Sequence, residues 1–328
     1  MDHSHGRDSD RHAGHGHDVS VDADRRWLTI TLGLILAYLV GEVAVGLLAH
    51  SLALLSDAAH MLTDAAAIIL ALAALRVAAR PAGGAYTFGL RRVEILSAQV
   101  NGLTLLLLAG WLTFEAIGRL VTPGDVAGGP VLGVALVGVA VNLAATWAMS
   151  RANRASLNID GAFQHILNDL YAFVATIVAG VVVLVTGWGR ADTIASLVVV
   201  ALMLKAGAGL LHASGRIFLE AAPDGLDPDD IGAAMACRPG VSEVHDLHIW
   251  QITSGEPALS AHVLVHPEAD CHAVRVGVHA WLRDNHHIDH TTLQVDHLSA
   301  EAHRTPAQSD PHCAAPHGTT HYAATDPC

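Results

Sequence analysis

Residues 52–75 read LALLSDAAHMLTDAAAIILALAAL, and this stretch decides the fold. It stays almost wholly apolar over twenty-four residues, and a helix of about 20 residues crosses the roughly 30 Å of hydrocarbon in a membrane. Three ionisable side chains interrupt it, those of Asp57, His60 and Asp64. Such groups are costly at membrane depth, so their presence indicates a functional site inside a membrane helix.

Apolar runs of this kind occur six times in the first 211 residues. Each is close to the length of one membrane crossing, and glycine, proline or arginine marks most of the breaks between them. The runs are Leu28–Leu48, Leu52–Leu75, Val93–Ile117, Val131–Met149, Ala162–Thr186 and Ala191–Leu211. The sequence therefore predicts an α-helical membrane domain with six transmembrane helices over residues 25–211.

The arginines predict how these helices are oriented. Six crossings place both termini on one side of the membrane. Most of the flanking arginines lie on that side, and only Arg119 and Arg190 flank the other. The larger set comprises Arg25, Arg26, Arg76, Arg80, Arg91, Arg92, Arg151, Arg154 and Arg216. By the positive-inside rule, we expect both termini in the cytoplasm.

A small polar domain is expected after the membrane region, over residues 212–300. Its hydrophobic periodicity predicts the order helix, strand, strand, helix, strand. These elements are Asp229–Cys237, Val241–Thr253, Ala258–His266, Cys271–Asn285 and Thr291–Leu298. Such an order is typical of a small α+β domain whose helices cover one face of a sheet.

Histidine-rich polar segments lie at both ends of the chain. Residues 1–24 contain five histidines among Asp, Gly and Ser, and residues 301–328 contain four histidines and four prolines. Neither segment can bury an apolar core, so we expect both to be disordered. Such tracts bind divalent metal weakly, and the alternative is a solvated tail without a role.

Composition excludes two broad classes of protein. Hydrophobic residues make up 52% of the chain and charged residues only 15%, which is unlike an ordinary soluble enzyme. The formal net charge is −13, and an acidic chain repels nucleic acid phosphates. We therefore expect the lipid bilayer, and not nucleic acid, as a partner.

Two of the predicted membrane helices carry the same pair of ligand-type residues. His60 and Asp64 lie in the second run, and His165 and Asp169 lie in the fifth. The spacing i, i+4 puts both members of a pair on one helix face. If the helices face each other, the four side chains can form the tetrahedral set that Zn²⁺ takes with histidine nitrogen and carboxylate oxygen. The alternative is that each histidine hydrogen-bonds its own aspartate without metal.

Four longer motifs carry a family resemblance. They are SLALLSDAAHMLTD at 51–64, YTFGLRRVE at 86–94, HILND at 165–169 and HDLHIW at 245–250. Over about residues 27–299, the chain resembles the cation diffusion facilitator family of zinc transporters. The resemblance implies a homodimer in a bacterial cell membrane, with six transmembrane helices and a cytoplasmic metallochaperone-like domain in each protomer. Each protomer would export metal from the cytosol in exchange for protons by alternating access.

Matching the motifs residue by residue gives the expected transport site. His60, Asp64, His165 and Asp169 would bind the transported Zn²⁺, and Asp57 would support the site or the access of metal to it. Histidine binds metal only when neutral, and free imidazole protonates near pH ~6.5, so protons would compete with zinc. Cd²⁺, Co²⁺ and Ni²⁺ are further possible cargoes. No resident cofactor is expected, since the metal is the substrate.

The resemblance also implies a regulatory zinc site in the cytoplasmic domain. Motif matching places His245, His262 and Asp296 there. Gln294 stands where some family members have histidine, which leaves the number of ions open. The alternative is that these strand histidines are ordinary surface residues.

Two other functions compete with transport. A membrane-anchored zinc sensor or buffer would use the histidine-rich tails and the polar domain, but six spans with buried ligands exceed what an anchor requires. An intramembrane metalloprotease needs a glutamate base beside its metal, typically in HExxH, and the sequence lacks that motif. We therefore expect a transporter and not an enzyme.

Overall fold

The computed structural model describes residues 21–48, 52–121, 129–152, 154, 156–188, 191–298 and 318–323. Six long helices come first and coincide with the six predicted apolar runs. They are α1 (Val21–Leu48), α2 (Leu52–Ala78), α3 (Val93–Val121), α4 (Gly129–Met149), α5 (Leu157–Thr186) and α6 (Ala191–Phe218). Residues 1–20, most of the predicted N-terminal tail, lie outside the described residues.

Helices α1, α5 and α6 extend furthest beyond the apolar runs because their ends are polar, and α1 begins at Val21, within the predicted N-terminal tail. Helix α5 begins at Leu157 and not at Ala162, and its Asn158 donates Nδ2–H to the carbonyl of Ala71 in α2 at 3.0 Å. Helix α6 continues past Leu211 to Phe218. Hydropathy detects the part of a helix that crosses hydrocarbon, whereas backbone hydrogen bonding continues into the polar part.

The outer faces of the helices are apolar. Large side chains such as Leu107, Trp111 and Phe114 of α3 are exposed. Four segments of the described chain are long and apolar enough to cross a membrane, and α4 contributes the shorter apolar segment Leu136–Met149. The four are Asp24–Val45, Met61–Ala78, Val93–Gly118 and Thr193–Phe218. Apolar surface of this extent requires lipid, which confirms the predicted helical membrane domain.

Two apolar clusters hold the helices together. The larger joins α1, α2, α4 and α5 through residues that include Leu28, Ile68, Met149, Ile159 and Ile166. The second joins α3 and α6 and contains Leu105, Ala109, Val199, Val200 and Met203. At the α3–α6 contact, a Cβ on Gly207 would lie 2.9 Å from the carbonyl oxygen of Gly102. The missing side chains therefore allow the two backbones to approach closely.

The cytoplasmic domain has the predicted α+β character. Its elements are α7 (Pro228–Ala236), β1 (Val241–Thr253), β2 (Glu256–Val265), α8 (Cys271–His286), β3 (His290–His297) and β4 (His321–Tyr322). The sheet order is β3-β2-β1-β4, with β2 and β3 parallel and the other pairs antiparallel. Helices α7 and α8 pack on one face around Met235, Val244 and Leu282. The opposite face is therefore the one left for a binding site.

Strand β4 lies within the segment that the sequence predicts to be a tail. His321 pairs with Val244 on the outer edge of β1. Its ring lies so close to Gly232 of α7 that a Cβ there would overlap it. A two-residue strand has no periodicity to detect, so only the tertiary contact reveals it. The remainder of the predicted tail, 301–317 and 324–328, lies outside the described residues.

The β1–β2 hairpin docks on the N-terminal ends of α3 and α5. Thr253 donates its hydroxyl hydrogen to one carboxylate oxygen of Glu94, and Ser156 donates to the other at 3.3 Å. Arg92 donates Nε–H to the carbonyl of Ile252 at 3.3 Å. Because Ser156 directly precedes α5, this joint connects the cytoplasmic domain to the helix that carries His165 and Asp169.

Candidate metal-binding site

The membrane-domain site begins with a contact between α2 and α5. Asp64 of α2 is 3% exposed and His165 of α5 is 2% exposed. His165 Nε2 lies 2.7 Å from Asp64 Oδ1. The histidine therefore approaches the aspartate of the other helix, as a site shared between the two motifs requires.

The ring nitrogens of His165 are available to bind a further partner. Neither of its nitrogens has a well-aligned hydrogen bond within the described part of the chain, although Nε2 is so close to Asp64. A buried polar group without such a bond is unusual and calls for an explanation, and a role in binding a cation is one. At 2.7 Å the two atoms are in direct contact, so a tetrahedral cation bound by both at about 2.0 Å would need them to separate by roughly 0.5 Å.

A cavity of about 200 Å³ lies at this contact, between α2, α3, α5 and α6. Asp64, His165 and Asp169 line it together, so the structure brings three of the four predicted ligands to one space. Since a water molecule occupies about 30 Å³ in the liquid, the cavity can hold an ion with several waters.

His60 and Asp57 lie in helix α2, where His60 precedes Asp64 by one turn and Asp57 precedes it by two. Their side chains lie outside the described residues. Among the side chains that are described, no three of histidine, cysteine, aspartate or glutamate are arranged to hold a metal ion. Because the side chains of His60 and Asp57 are not described, their roles stay predictions.

The cytoplasmic candidate site lies on the sheet face opposite α7 and α8. His245 of β1 is 2% exposed and faces His262 of β2, with 5.3 Å between ring centroids. Its Nδ1 lies 3.0 Å from Glu243 Oε1. Asp296 is paired with Leu264 and accepts a hydrogen bond from Gln294 at 3.0 Å. The two histidines are thus adjacent, while Asp296 lies two residues beyond Gln294, the residue of β3 that pairs with His262.

A bulge in β1 sets which histidine points at this face. The pairing shifts between His245 and His248, and Asp246 between them has a φ of 52°, in the left-handed region. Bulges re-aim side chains in this way. His248 is consequently half exposed and lies 3.2 Å from Asp246, away from the His245–His262 pair.

Comparison with known protein families shows to which family this chain belongs. The cation efflux transmembrane domain matches residues 28–219, and the cytoplasmic domain of cation efflux proteins matches residues 223–298. The chain belongs to the cation efflux family. This confirms the resemblance to the cation diffusion facilitators, and it makes the chain a multi-pass membrane transporter of divalent metal cations and not an enzyme.

Several bacterial members of the family are similar over most of their length. The cadmium, cobalt and zinc/H⁺-K⁺ antiporter of Bacillus subtilis is 37% identical over 76% of this chain and 81% of its own. The metal cation efflux system protein CzcD of Cupriavidus metallidurans is 37% identical, with 87% and 90% covered. The zinc transporter ZitB of Escherichia coli is 35% identical, with 90% and 93% covered.

Sequence reasoning on this cation efflux protein missed several polar or polarizable groups that line the membrane cavity. They are Met61, Asn168, Ser196 and Met203. Asn168 had a detectable signal, because it lies three residues after His165 on the same helix face. Ser196 and Met203 had none, since they belong to α6 and only the packing of that helix brings them to the cavity.

Proposed function

We propose that this cation efflux protein exports Zn²⁺, and also Cd²⁺ and Co²⁺, from the cytosol in exchange for protons. His60, Asp64, His165 and Asp169 bind the ion. The observation that carries the proposal is the 2.7 Å approach of His165 to Asp64 in a buried cavity that Asp169 also lines. The names of the relatives support cadmium, cobalt, zinc and proton as the transported ions.

Charge and ligand type both suit this cargo. Two carboxylates balance a divalent ion, so the loaded site carries little net charge through the membrane. Imidazole and carboxylate together match zinc better than they match Mg²⁺ or Ca²⁺, which take oxygen ligands. On the same ligand chemistry Ni²⁺ belongs among the possible cargoes.

Proton coupling follows from the histidines. Each must be neutral to bind metal, so loading releases protons and protonation releases metal. A site that opens alternately to the two sides then loads where protons are scarce and unloads where they enter. The transporter needs no resident cofactor for this cycle.

The cytoplasmic side is the side of the sheet domain. Arg91 forms an ion pair with Glu256 of β2, and Arg216 lies 3.0 Å from Asp224 just after α6. The arginine-rich ends of the helices and the sheet domain are therefore together, and the positive-inside rule assigns both, with the two termini, to the cytoplasm.

The cytoplasmic domain has two further proposed roles. It joins two protomers into a homodimer, in line with the match to the cytoplasmic domain of the family. It also binds a regulatory zinc ion at His245 and His262, with Asp296 as a third ligand and Glu243 beside His245.

In the membrane domain, Asp57 supports the transport site or the access of metal to it.

Zinc flux in sealed liposomes with an imposed pH gradient tests the transport site. Asp64→Asn and Asp169→Asn keep the size of each side chain and remove one ligand charge, so each should lower the rate of zinc uptake at least tenfold. Glu42→Gln is the matched control, because Glu42 is also a buried membrane carboxylate, in α1 beside Tyr38. Its rate should stay within about twofold of native.

The outcomes separate the functions. Loss of flux in both aspartate variants, with the control active, supports the assigned ligands. Undiminished flux in the aspartate variants would show that the ligands are elsewhere. Absence of flux from folded native protein would favour the zinc sensor or buffer.

A further inference from the structure

Asn168 is a buried polar residue that the transport cycle described above does not use. Its side chain lines the membrane cavity and is 4% exposed. Its Nδ2 has no hydrogen-bond partner within the described chain. Leaving such a donor unsatisfied in a low-dielectric interior is costly, so a membrane helix that keeps it needs a compensating partner.

The position of Asn168 indicates what that partner is. It lies three residues after His165 and directly before Asp169 in α5. All three side chains line one cavity, with Asp64 of α2 across from them. A cation cannot satisfy an N–H donor, so the cargo can be that partner only through the other polar atom of the carboxamide, its oxygen.

The carboxamide can present either of its polar atoms to that cargo. A half turn of the amide plane exchanges nitrogen and oxygen with almost no change of shape. The oxygen is a neutral metal ligand, so it adds no charge and does not compete for protons. The cavity of about 200 Å³ has room for such an additional ligand beside the four proposed ones.

We propose that the Asn168 carboxamide oxygen is a further ligand of the transported cation and widens the site to ions that take more than four ligands. This rests on the proposed function and deepens it by assigning substrate selectivity. Zn²⁺ is satisfied by four ligands in a tetrahedron, whereas ions that favour higher coordination are bound better when carbonyl oxygens and water are added. Co²⁺, through its d-electrons, and Cd²⁺, through its larger radius, take six ligands more readily than Zn²⁺ does, so Asn168 favours both relative to Zn²⁺.

The visible absorption of bound Co²⁺ tests this on the purified full chain. Tetrahedral Co²⁺ absorbs far more strongly than five- or six-coordinate Co²⁺. The spectrum of the combined Asp64→Asn and Asp169→Asn variant, which keeps the cytoplasmic site, is subtracted first. Native protein should then show the weak spectrum, and Asn168→Ala should show the strong one. Asn168→Asp keeps an oxygen at this position and should retain the weak spectrum. In liposomes, the ratio of Co²⁺ to Zn²⁺ flux should fall about tenfold in Asn168→Ala, which corresponds to about 1.4 kcal/mol.

Asn101→Ala is the matched control. Asn101 of α3 is 2% exposed, and its Nδ2 likewise has no hydrogen-bond partner within the described chain. It lies beside Gly161 and does not line the cavity. This variant should keep the native spectrum and the native flux ratio.

Several results would overturn the inference. A strong, tetrahedral native spectrum that the combined Asp64→Asn and Asp169→Asn changes remove does so even if Asn168→Ala does not fold. An unchanged spectrum and flux ratio in Asn168→Ala do so as well. Failure of the proposed function looks different, because the combined Asp64→Asn and Asp169→Asn changes would then leave the whole Co²⁺ spectrum unchanged. A working transport site makes these changes remove its share and leave only Co²⁺ at the cytoplasmic site and the histidine-rich tails.

Discussion

Asp64 and His165 show at the residue scale why metal binding and membrane burial are linked. A carboxylate that is 3% exposed inside a membrane domain is expensive unless a cation or a hydrogen-bonded partner compensates it. The spacing of two HxxxD motifs predicted that these residues would meet. It did not reveal Asn168, although this residue lies three positions after His165 on the same helix face, because a neutral amide is not one of the ionisable residues that mark the motif.

Zinc should therefore stabilise the native chain more than it stabilises Asp64→Asn. A ligand at a concentration about 100 times its Kd adds about 2.7 kcal/mol to the free energy of unfolding. Thermal unfolding in detergent with and without Zn²⁺ measures this. Any contribution from the cytoplasmic domain or the histidine-rich tails persists in the variant, so the difference between the two shifts reports the membrane site. Equal shifts for native protein and Asp64→Asn would contradict the assignment.

At the scale of elements, apolar periodicity predicted the helices and strands well, and the errors have physical causes. Strand β1 has the predicted bounds, Val241–Thr253. Helix α5 begins earlier than predicted because a buried hydrogen bond from Asn158 holds its polar first turn against α2. Strand β4 depends on the space that Gly232, which has no side chain, leaves for the ring of His321. Such contacts are non-local, so a linear pattern does not contain them.

The α3–α6 interface gives an element-scale prediction. Gly207→Ala should destabilise the protein by about 1–3 kcal/mol, because its Cβ would press on the backbone of Gly102 and on Leu106. Gly209→Ala in the same helix is the control, since a Cβ there meets nothing within 4 Å and alanine is the better helix former. Thermal unfolding of both variants checks this. The prediction is wrong if Gly207→Ala is as stable as Gly209→Ala.

At the scale of the whole molecule, the hairpin joint connects the cytoplasmic sheet with the helix that carries the transport site. Glu94 accepts hydrogen bonds from Thr253 of β1 and from Ser156, which directly precedes α5. These contacts form a direct connection through which a displacement of the sheet domain would reach the N-terminal end of α5. Only the folded structure shows this, because the three residues lie far apart in sequence.

Thr253→Val keeps the shape of the side chain and removes its hydroxyl donor to Glu94. We expect the maximal rate of zinc transport to fall severalfold while the zinc concentration for half-maximal rate stays unchanged, because the ligands themselves are not altered. Thr292→Val, on an exposed position of β3, is the control and should transport normally. A change confined to the half-maximal zinc concentration would argue against coupling through this joint.

Reversal of the pH gradient across liposomes tests the central claim of zinc–proton exchange most directly. Zinc and pH are followed together in the same vesicles, first with the interior acidic and then with it alkaline. The account predicts that zinc reverses its direction of net movement when the gradient is reversed, with protons moving oppositely, and that Asp169→Asn abolishes both fluxes. Net zinc movement in the same direction under both pH gradients would contradict the account.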